Sequence, residues 1–192
     1  MKILIIETSQ VESFIALSID EKCEMEHLPP FKQRDHLFPA LHRLLEKAGI
    51  KLCDLDLIAV GEGPGSFTGG RIGNITAKML SFSQNLPLVS FCSFAPWTPK
   101  GSSPFRILTD AKTKGFCIYD GTSVWMEKEP TFPSNMRLYS PHPEMIIKRL
   151  SLPTKPASLH FSFLLGHVKE KFLQGNVIDS SDLSVCYLDK ST

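Results

Sequence analysis

The residues that could carry out chemistry are concentrated around a glycine-rich run, Gly61–Gly73, which holds half of the chain's 12 glycines. The run follows the apolar stretch Leu55–Val60 and precedes a helical pattern. Ordering glycine is entropically costly, so this clustering indicates that the backbone itself is used. A glycine-rich turn between a strand and a helix could hold a phosphate, because the free N–H groups at a helix N-terminus attract anions.

The other residues that a nucleotide or nucleophile site needs are missing from this run. Gly65–Gly70 has the glycine spacing of a phosphate loop, but Arg71-Ile72 follows in place of the required Lys and hydroxyl. The earlier glycines lack the acidic partner of a dinucleotide fingerprint. Ser66 is not a nucleophile elbow, since Pro64 stands where that motif has glycine. The sequence therefore predicts no catalytic residue in the loop.

Two carboxylates stand out by position, Glu7 and Asp110. Each ends the first predicted strand of one half of the chain. In open α/β sheets, ligands bind beyond the carboxyl ends of the strands, so the two residues could form a ligand crevice for a metal or a nucleotide. The other interpretation is that they cap turns and are solvated. The histidines and cysteines form no His-x-x-x-His or Cys-x-x-Cys pair, so no metal site is predicted.

The helix after the glycine run carries small residues on one face. Gly69, Gly73 and Ala77 are spaced by four, and bulky residues surround this stripe. Glycine inside a helix costs about 0.8–1 kcal/mol relative to alanine, so a compensating close contact is expected. The contact could be with the protein's own sheet or with a partner, and the pattern alone does not separate the two.

The elements that position these residues follow the order β-β-β-α-β-α-β, a junction, and β-β-β-α-α-β. Helical patterns begin near Asp35 and Phe67, and Asp120-Gly121 predicts a hairpin in the second half. Residues 130–143 are predicted as a loop and Val185–Leu188 as a final strand. This order predicts an α/β protein with two related lobes, 1–94 and a shortened 105–192, joined by 95–104.

Composition narrows the class of protein further. The chain has 192 residues, 42% of them hydrophobic, and a formal net charge of +1. Such a charge gives no long-range attraction to nucleic acid or to an anionic membrane. The N-terminus shows no signal-peptide pattern, and the 5 cysteines are an odd number. We therefore expect a cytoplasmic protein with reduced thiols and no membrane association.

Taken together, these segments resemble the TsaB family, non-catalytic subunits of the bacterial tRNA threonylcarbamoyladenosine machinery. The densest match is Gly63–Gly69, continuing to Gly73, which is close to a family signature. The resemblance implies the actin-like ATPase (ribonuclease H-like) fold. Weaker matches occur in order along the chain, at Ile3–Ser9, His36–Gly49, Ala59–Gly61, Asp110–Lys112 and Tyr187-Leu188.

This sequence departs from the family pattern at a few positions. Glu7 stands where Asp is usual, Gly70 where Leu is usual, and Lys112 where Arg is usual. The histidine pair that binds metal in the catalytic paralogue, TsaD, is absent. The change at Glu7 weakens any inherited nucleotide role, and a vestigial ligand crevice at Glu7 and Asp110 is therefore only a candidate.

The resemblance implies a scaffold that pairs with a TsaD-type catalytic subunit. On this hypothesis the chain has no cofactor of its own; ATP and metal belong to the partner subunits, a TsaE-type ATPase docks on the pair, and tRNA is met through the complex. In isolation the chain is expected to form a homodimer. The alternative is a stand-alone ATP- or metal-dependent enzyme of the same fold. The implied partner interface comprises Phe67, Gly69, Gly70, Arg71, Gly73 and Ala77.

Overall fold

The computed structural model describes residues 1–20, 22–30, 32–101 and 103–188. Contacts divide the chain into two units. The first unit contains Met1–Ser93 together with Gly166–Tyr187, and the second is chiefly Phe94–Leu165. Assigning all of 105–192 to one second lobe is therefore wrong for Gly166–Tyr187, because this segment packs with the first unit. Residues 189–192 lie outside the described residues.

The first unit is built on a five-stranded sheet in the order β3-β2-β1-β4-β5. β1 pairs antiparallel with β2 and parallel with β4, and β5 continues the parallel part. The predicted short strands at the N-terminus are confirmed. Their continuous apolar runs are explained by burial on both faces of the central strands. The strands are β1 (Lys2–Glu7), β2 (Phe14–Ile19), β3 (Lys22–His27), β4 (Leu57–Gly63) and β5 (Leu88–Cys92).

Two helices cover one face of this sheet, α1 (Gln33–Ala48) and α2 (Phe67–Gln84). α1 buries Leu37, Leu41 and Leu44 against the sheet, and α2 buries Ala77 and Leu80 in the same cluster. Gly49 ends α1 in the left-handed conformation, with φ of 65°, as expected for a residue that follows a helix. The predicted start of α2 near Phe67 is confirmed.

The second unit repeats the strand order of the first. Its sheet runs β10-β9-β6-β7-β8, with β6 between an antiparallel β7 and a parallel β9. The predicted hairpin at Asp120-Gly121 joins β7 to β8, and the Asp120 carboxylate accepts hydrogen bonds from the N–H groups of Thr122 and Ser123. The elements of this unit are β6 (Phe105–Asp110), β7 (Phe116–Tyr119), β8 (Val124–Glu127), β9 (Arg137–Ser140), α3 (Pro143–Leu150) and β10 (Lys155–Pro156). The last helix, α4 (Phe161–Leu173), begins in this unit and belongs to the first unit from Gly166 onward.

The second sheet is abbreviated in one identifiable place. In the first unit, α1 connects β3 to β4, whereas residues 128–136 connect β8 to β9 without an α-helix. The expectation of a loop over 130–143 is wrong for β9, which is only four residues long. The expected strand Val185–Leu188 is also not formed; these residues have no regular secondary structure. No helix among the described residues is long and apolar enough to cross a membrane.

Candidate functional site

Glu7 ends β1 inside the protein rather than at a solvated edge. Its side chain is 1% exposed, and Oε1 accepts hydrogen bonds from the N–H groups of Ser9 and Gln10 and from the Ser9 hydroxyl. Gly61 leaves room for the other oxygen, because a Cβ there would lie 1.8 Å from Oε2. The turn-capping part of the second interpretation is confirmed, and its solvation part is wrong.

The electrostatics of Glu7 follow from this enclosure. Burial raises the pKa of the carboxyl above its ordinary value of 4.5, against the opposing effect of hydroxyl donors at Ser93 and Ser9. Oε2 has no donor of standard hydrogen-bond geometry among the described residues. The group is held in place by its own turn, and it has no exposed oxygen with which to contact a nucleotide or a metal.

Asp110 ends β6 in the second unit and has partners of its own. Its Oδ1 accepts a hydrogen bond from the Lys112 N–H at 2.6 Å and pairs with the guanidinium of Arg149 from α3. Arg149 also donates to the Lys112 carbonyl and lies 4.4 Å above the centroid of the Phe116 ring. Asp110 therefore fixes the turn after β6 to α3, which is a structural task.

The glycine-rich run packs against the turn that follows β1, Thr8–Gln10. The Ser66 N–H donates to the Ser9 carbonyl at 2.6 Å, and Gln10 Nε2 donates to the Pro64 carbonyl at 2.6 Å. A Cβ on Gly65 would lie 2.3 Å from the Ser9 carbonyl oxygen. The space that a bound phosphate would need at this loop is therefore filled by the protein's own turn.

The small-residue stripe of α2 faces the same turn and the sheet. Thr8 Oγ1 donates to the Gly69 carbonyl at 2.7 Å, and a Cβ on Gly73 would lie 2.3 Å from that hydroxyl oxygen. Gly70 and Ala77 are also buried. The prediction that Gly69, Gly70, Gly73 and Ala77 form a partner interface is therefore wrong. The physical reason is that small residues let α2 approach β1 closely, which is the intramolecular alternative.

The other side of α2 is apolar and exposed. Phe67, Ile75 and Met79 lie on one side of the helix, and each is more than half exposed. Phe82 reaches 83% exposure, and Phe38 of α1 is 50% exposed beside them. We call these five residues the apolar face. A cavity of about 370 Å³ opens into it between α1 and α2.

Of the predicted interface residues, Phe67 and Arg71 remain on this exposed side. The Arg71 guanidinium lies 3.7 Å from the centroid of the Phe67 ring, and its Nε donates to the Tyr187 hydroxyl at 3.0 Å. Tyr187 belongs to a segment without regular secondary structure, Leu183–Tyr187, which we call the C-terminal strap. The sequence pattern shows the bulky residues of α2, but apart from Phe67 and Arg71 the predicted interface comprises small residues. The part played by Phe38 and the packing of the strap against α2 were not predicted.

The strap also explains the departure at position 70. A Cβ on Gly70 would lie 3.1 Å from Val185 Cγ1, so the strap occupies the space beside this helix turn. The Cys186 N–H donates to the Glu62 carbonyl at 2.6 Å, and Leu183 is buried in the core of the first unit. The strap is thus fixed against both the glycine-rich run and α2.

Metal-binding side chains are not grouped in the described part of the chain. No set of three or more His, Cys, Asp or Glu side chains there is placed to hold an ion. The exposed groups beside α2 are instead the apolar face and Arg71, and exposed apolar patches of this kind are suited to contact with another surface.

Two sheets of matching strand order, with helices packed on the first, define an α/β protein of the two-lobed ribonuclease H-like class, which includes the actin-like ATPases. The chain belongs to the family described as "TsaD: tRNA N6-adenosine threonylcarbamoyltransferase", whose model matches residues 29–129. Residues 29–129 make up more than half of the 192-residue chain.

Curated relatives carry a related description, "tRNA threonylcarbamoyladenosine biosynthesis protein TsaB". The chain is 35% identical to the Bacillus subtilis protein over 53% of this chain and 45% of that one. It is 30% identical to the Escherichia coli protein over 58% of this chain and 51% of that one. The chain thus spans about half the length of the curated relatives it matches. The resemblance to the TsaB family is confirmed.

A solved structure supports the fold independently. It is a Pseudomonas aeruginosa protein described as uncharacterized, with similarity to peptidase YeaZ. The two chains superpose with a TM-score of 0.81 at 20% sequence identity, and the match covers 98% of this chain and 99% of that one. The two-lobed fold predicted from the resemblance is confirmed.

Proposed function

We propose that this chain is a non-catalytic scaffold subunit of the tRNA threonylcarbamoyladenosine machinery and that it pairs with a TsaD-type catalytic subunit. The observation that carries the proposal is the apolar face on α1 and α2. Exposed apolar patches of this kind, rimmed by polar residues, mark sites of protein association. The family match and the TsaB-named relatives support the choice of partner.

The remaining parts of the proposal follow from this role. The chain binds no cofactor of its own, because its glycine-rich run is filled by Thr8–Gln10 and Glu7 is enclosed. ATP and metal are bound by the partner subunits, a TsaE-type ATPase docks on the pair, and tRNA is reached through the complex in the cytoplasm. Without its partner, the chain self-associates through the apolar face.

Substituting Met79 with Asp tests the proposal. Met79 is 59% exposed, so the variant should fold, while a charge in the centre of the apolar face should weaken binding to the TsaD-type subunit of the same organism. We expect at least about a 30-fold loss of affinity by calorimetry, since hot-spot side chains contribute about 2 kcal/mol or more.

The matched control is Met145→Asp on α3, which introduces the same charge at a methionine that is 44% exposed. This variant should bind the partner like the unmodified chain. Equal affinity of the Met79→Asp variant and the unmodified chain would contradict the proposal. Tight binding of ATP–Mg²⁺ or Zn²⁺ by the isolated chain would instead favour the stand-alone enzyme.

A further inference from the structure

The rim of the apolar face carries several basic side chains. The side chains that line the cavity between α1 and α2 include Arg34 and Arg71, and those of a second cavity include Arg71 and Lys78. Neither lining contains Asp or Glu, and the whole of α2 lacks an acidic residue. Arg34 already pairs with Asp35 of its own helix at 3.2 Å, so a surface that covers this rim must neutralise the positive charges of Arg71 and Lys78 or leave them unpaired.

The second cavity, of about 320 Å³, lies between α2 and the C-terminal strap. Arg71 and Lys78 are seven residues apart on α2, which is about two helical turns or about 10 Å along the axis. Both side chains line the cavity, together with Ile75 from the apolar face and Leu183 and Val185 from the strap. The cavity therefore joins an apolar surface to two cations.

The neighbours of Arg71 fix the position of its guanidinium. Its guanidinium lies against the Phe67 ring, and Nε is used by the Tyr187 hydroxyl, while the Phe67 and Tyr187 rings are 5.0 Å apart. The two Nη groups form no ion pair with any described carboxylate. A planar guanidinium fixed in this way can bind a carboxylate through two parallel hydrogen bonds, with little further loss of side-chain entropy.

Lys78 is free of acidic partners as well. Its one recorded hydrogen bond is a long one, 3.5 Å from Nζ to the Ser181 carbonyl. Asp179 and Asp182 lie just before the strap in the chain, and both accept hydrogen bonds from Ser181 instead. Among the described residues, the cavity thus contains two basic groups whose charge is not matched within the chain.

We propose that the cavity between α2 and the strap receives an Asp or Glu side chain from the docking surface of the catalytic partner. A second copy of this chain fits less well. In a two-fold pairing through the apolar face, α2 meets α2, so Arg71 and Lys78 would face basic residues without an acidic residue on either helix. The inference rests on the proposed function and adds to it the charge that the partner must present.

Reversing the charge at Arg71 and at Lys78 tests the inference. We expect Arg71→Glu and Lys78→Glu each to lower affinity for the TsaD-type subunit by roughly tenfold or more, because an attraction becomes a repulsion. The affinity of the unmodified chain should fall as salt is raised, and that of the reversed variants should fall less. Self-association of the isolated chain should strengthen in either variant, since an acid would then face a base across the two-fold axis.

The choice of variants separates the effect of charge from that of altered structure. Arg71→Glu also breaks the contact with Tyr187, so Lys78→Glu, which loses only the long bond to Ser181, is the variant that tests charge without disturbing the strap. Lys148→Glu on α3, an exposed lysine, is the matched control and should bind like the unmodified chain.

Unchanged affinity and unchanged salt dependence in Lys78→Glu, together with loss of binding in Met79→Asp, would overturn the inference and leave the proposed function standing. Full binding in both variants would overturn the proposed function itself. A homodimer of the unmodified chain that is as tight as its complex with the TsaD-type subunit would also contradict the inference.

Discussion

Gly73 lies where a single methyl group would collide with Thr8. A Cβ at this position would be 2.3 Å from Thr8 Oγ1 and 3.6 Å from Ile6 Cγ2, and Thr8 is already fixed by its bond to the Gly69 carbonyl. Real Cβ contacts are not this short, so either the hydroxyl or the helix must move. The glycine is therefore required by the packing of α2 on β1, not by a partner.

Substituting Gly73 with Ala should destabilise the protein by about 1–3 kcal/mol, the usual cost of overpacking a well-packed site. Gly166→Ala is the matched control, because Gly166 lies inside α4 and a Cβ there meets nothing within 4 Å. That control should be neutral or stabilising by up to about 1 kcal/mol, since alanine favours the helix. Denaturant unfolding of both variants measures the difference, and equal stability would contradict the packing argument.

The buried carboxyl of Glu7 should make stability depend on pH. Burial raises its pKa above 4.5 in the folded state, so the folded protein holds this proton to higher pH than the unfolded chain does. The stabilising contribution of Glu7 is thus complete below the unfolded value and is lost as pH rises through the folded value. Ionisation of the group is the step that costs stability.

Glu7→Gln removes the ionisation while keeping the shape of the side chain. We expect the free energy of unfolding of this variant to rise relative to that of the unmodified chain over the pH range above 4.5, the ordinary pKa of the group. Glu12→Gln, at an exposed position two residues after the same turn, is the control for the amide substitution itself. A pH-independent difference for Glu7→Gln would show that the buried carboxyl does not titrate in this range.

At the scale of elements, α2 carries two stripes of side chains with different roles, one buried and one exposed. Gly69, Gly73 and Ala77 bring the helix onto β1, and the opposite stripe of large apolar residues stays exposed. Both stripes recur at helical spacing, so the sequence predicts the helix and its two faces. It does not show which face is covered, because that depends on Thr8–Gln10, a turn about 60 residues away along the chain.

Other elements were predictable to the extent that their signals are local. The apolar runs and turn residues of the first sheet predict β1 to β5, and Asp120-Gly121 predicts the hairpin. β10 has two residues and β9 four, so neither carries enough periodicity to be recognised. The strap has no regular hydrogen-bond pattern, and its place beside Gly70 is set by packing. That packing is visible only in three dimensions.

At the scale of the whole molecule, the same strand order occurs twice with different connections. In each sheet, the first strand lies between an antiparallel strand and a parallel strand. Only the first sheet has an α-helix in the connection that leads to its fourth strand. The first unit is also discontinuous in sequence, since its second segment, Gly166–Tyr187, follows Phe94–Leu165 of the second unit along the chain. The stability of the first unit must therefore depend on a segment that is far along the chain from its five strands.

A chain ending at Gly175 tests this dependence. The truncation keeps α4 but removes Ile178, which bridges to Leu88 of β5, and Leu183, which is buried in the first core. Losing one buried leucine alone costs about 2–5 kcal/mol, a large share of the roughly 5–15 kcal/mol that stabilises a domain. We expect amide-exchange protection of β5 to fall strongly, while the second unit, which contains both tryptophans, keeps its native fluorescence.

The control for this truncation is a chain ending at Leu188, which retains the strap and should protect β5 like the full chain. Adding a synthetic peptide of residues 176–188 to the shorter chain should restore protection, because the lost contacts are non-covalent. Full protection of β5 in the chain ending at Gly175 would show that the first unit is complete without its returning segment. The strap would then serve the surface beside α2 alone, rather than the fold of the first unit.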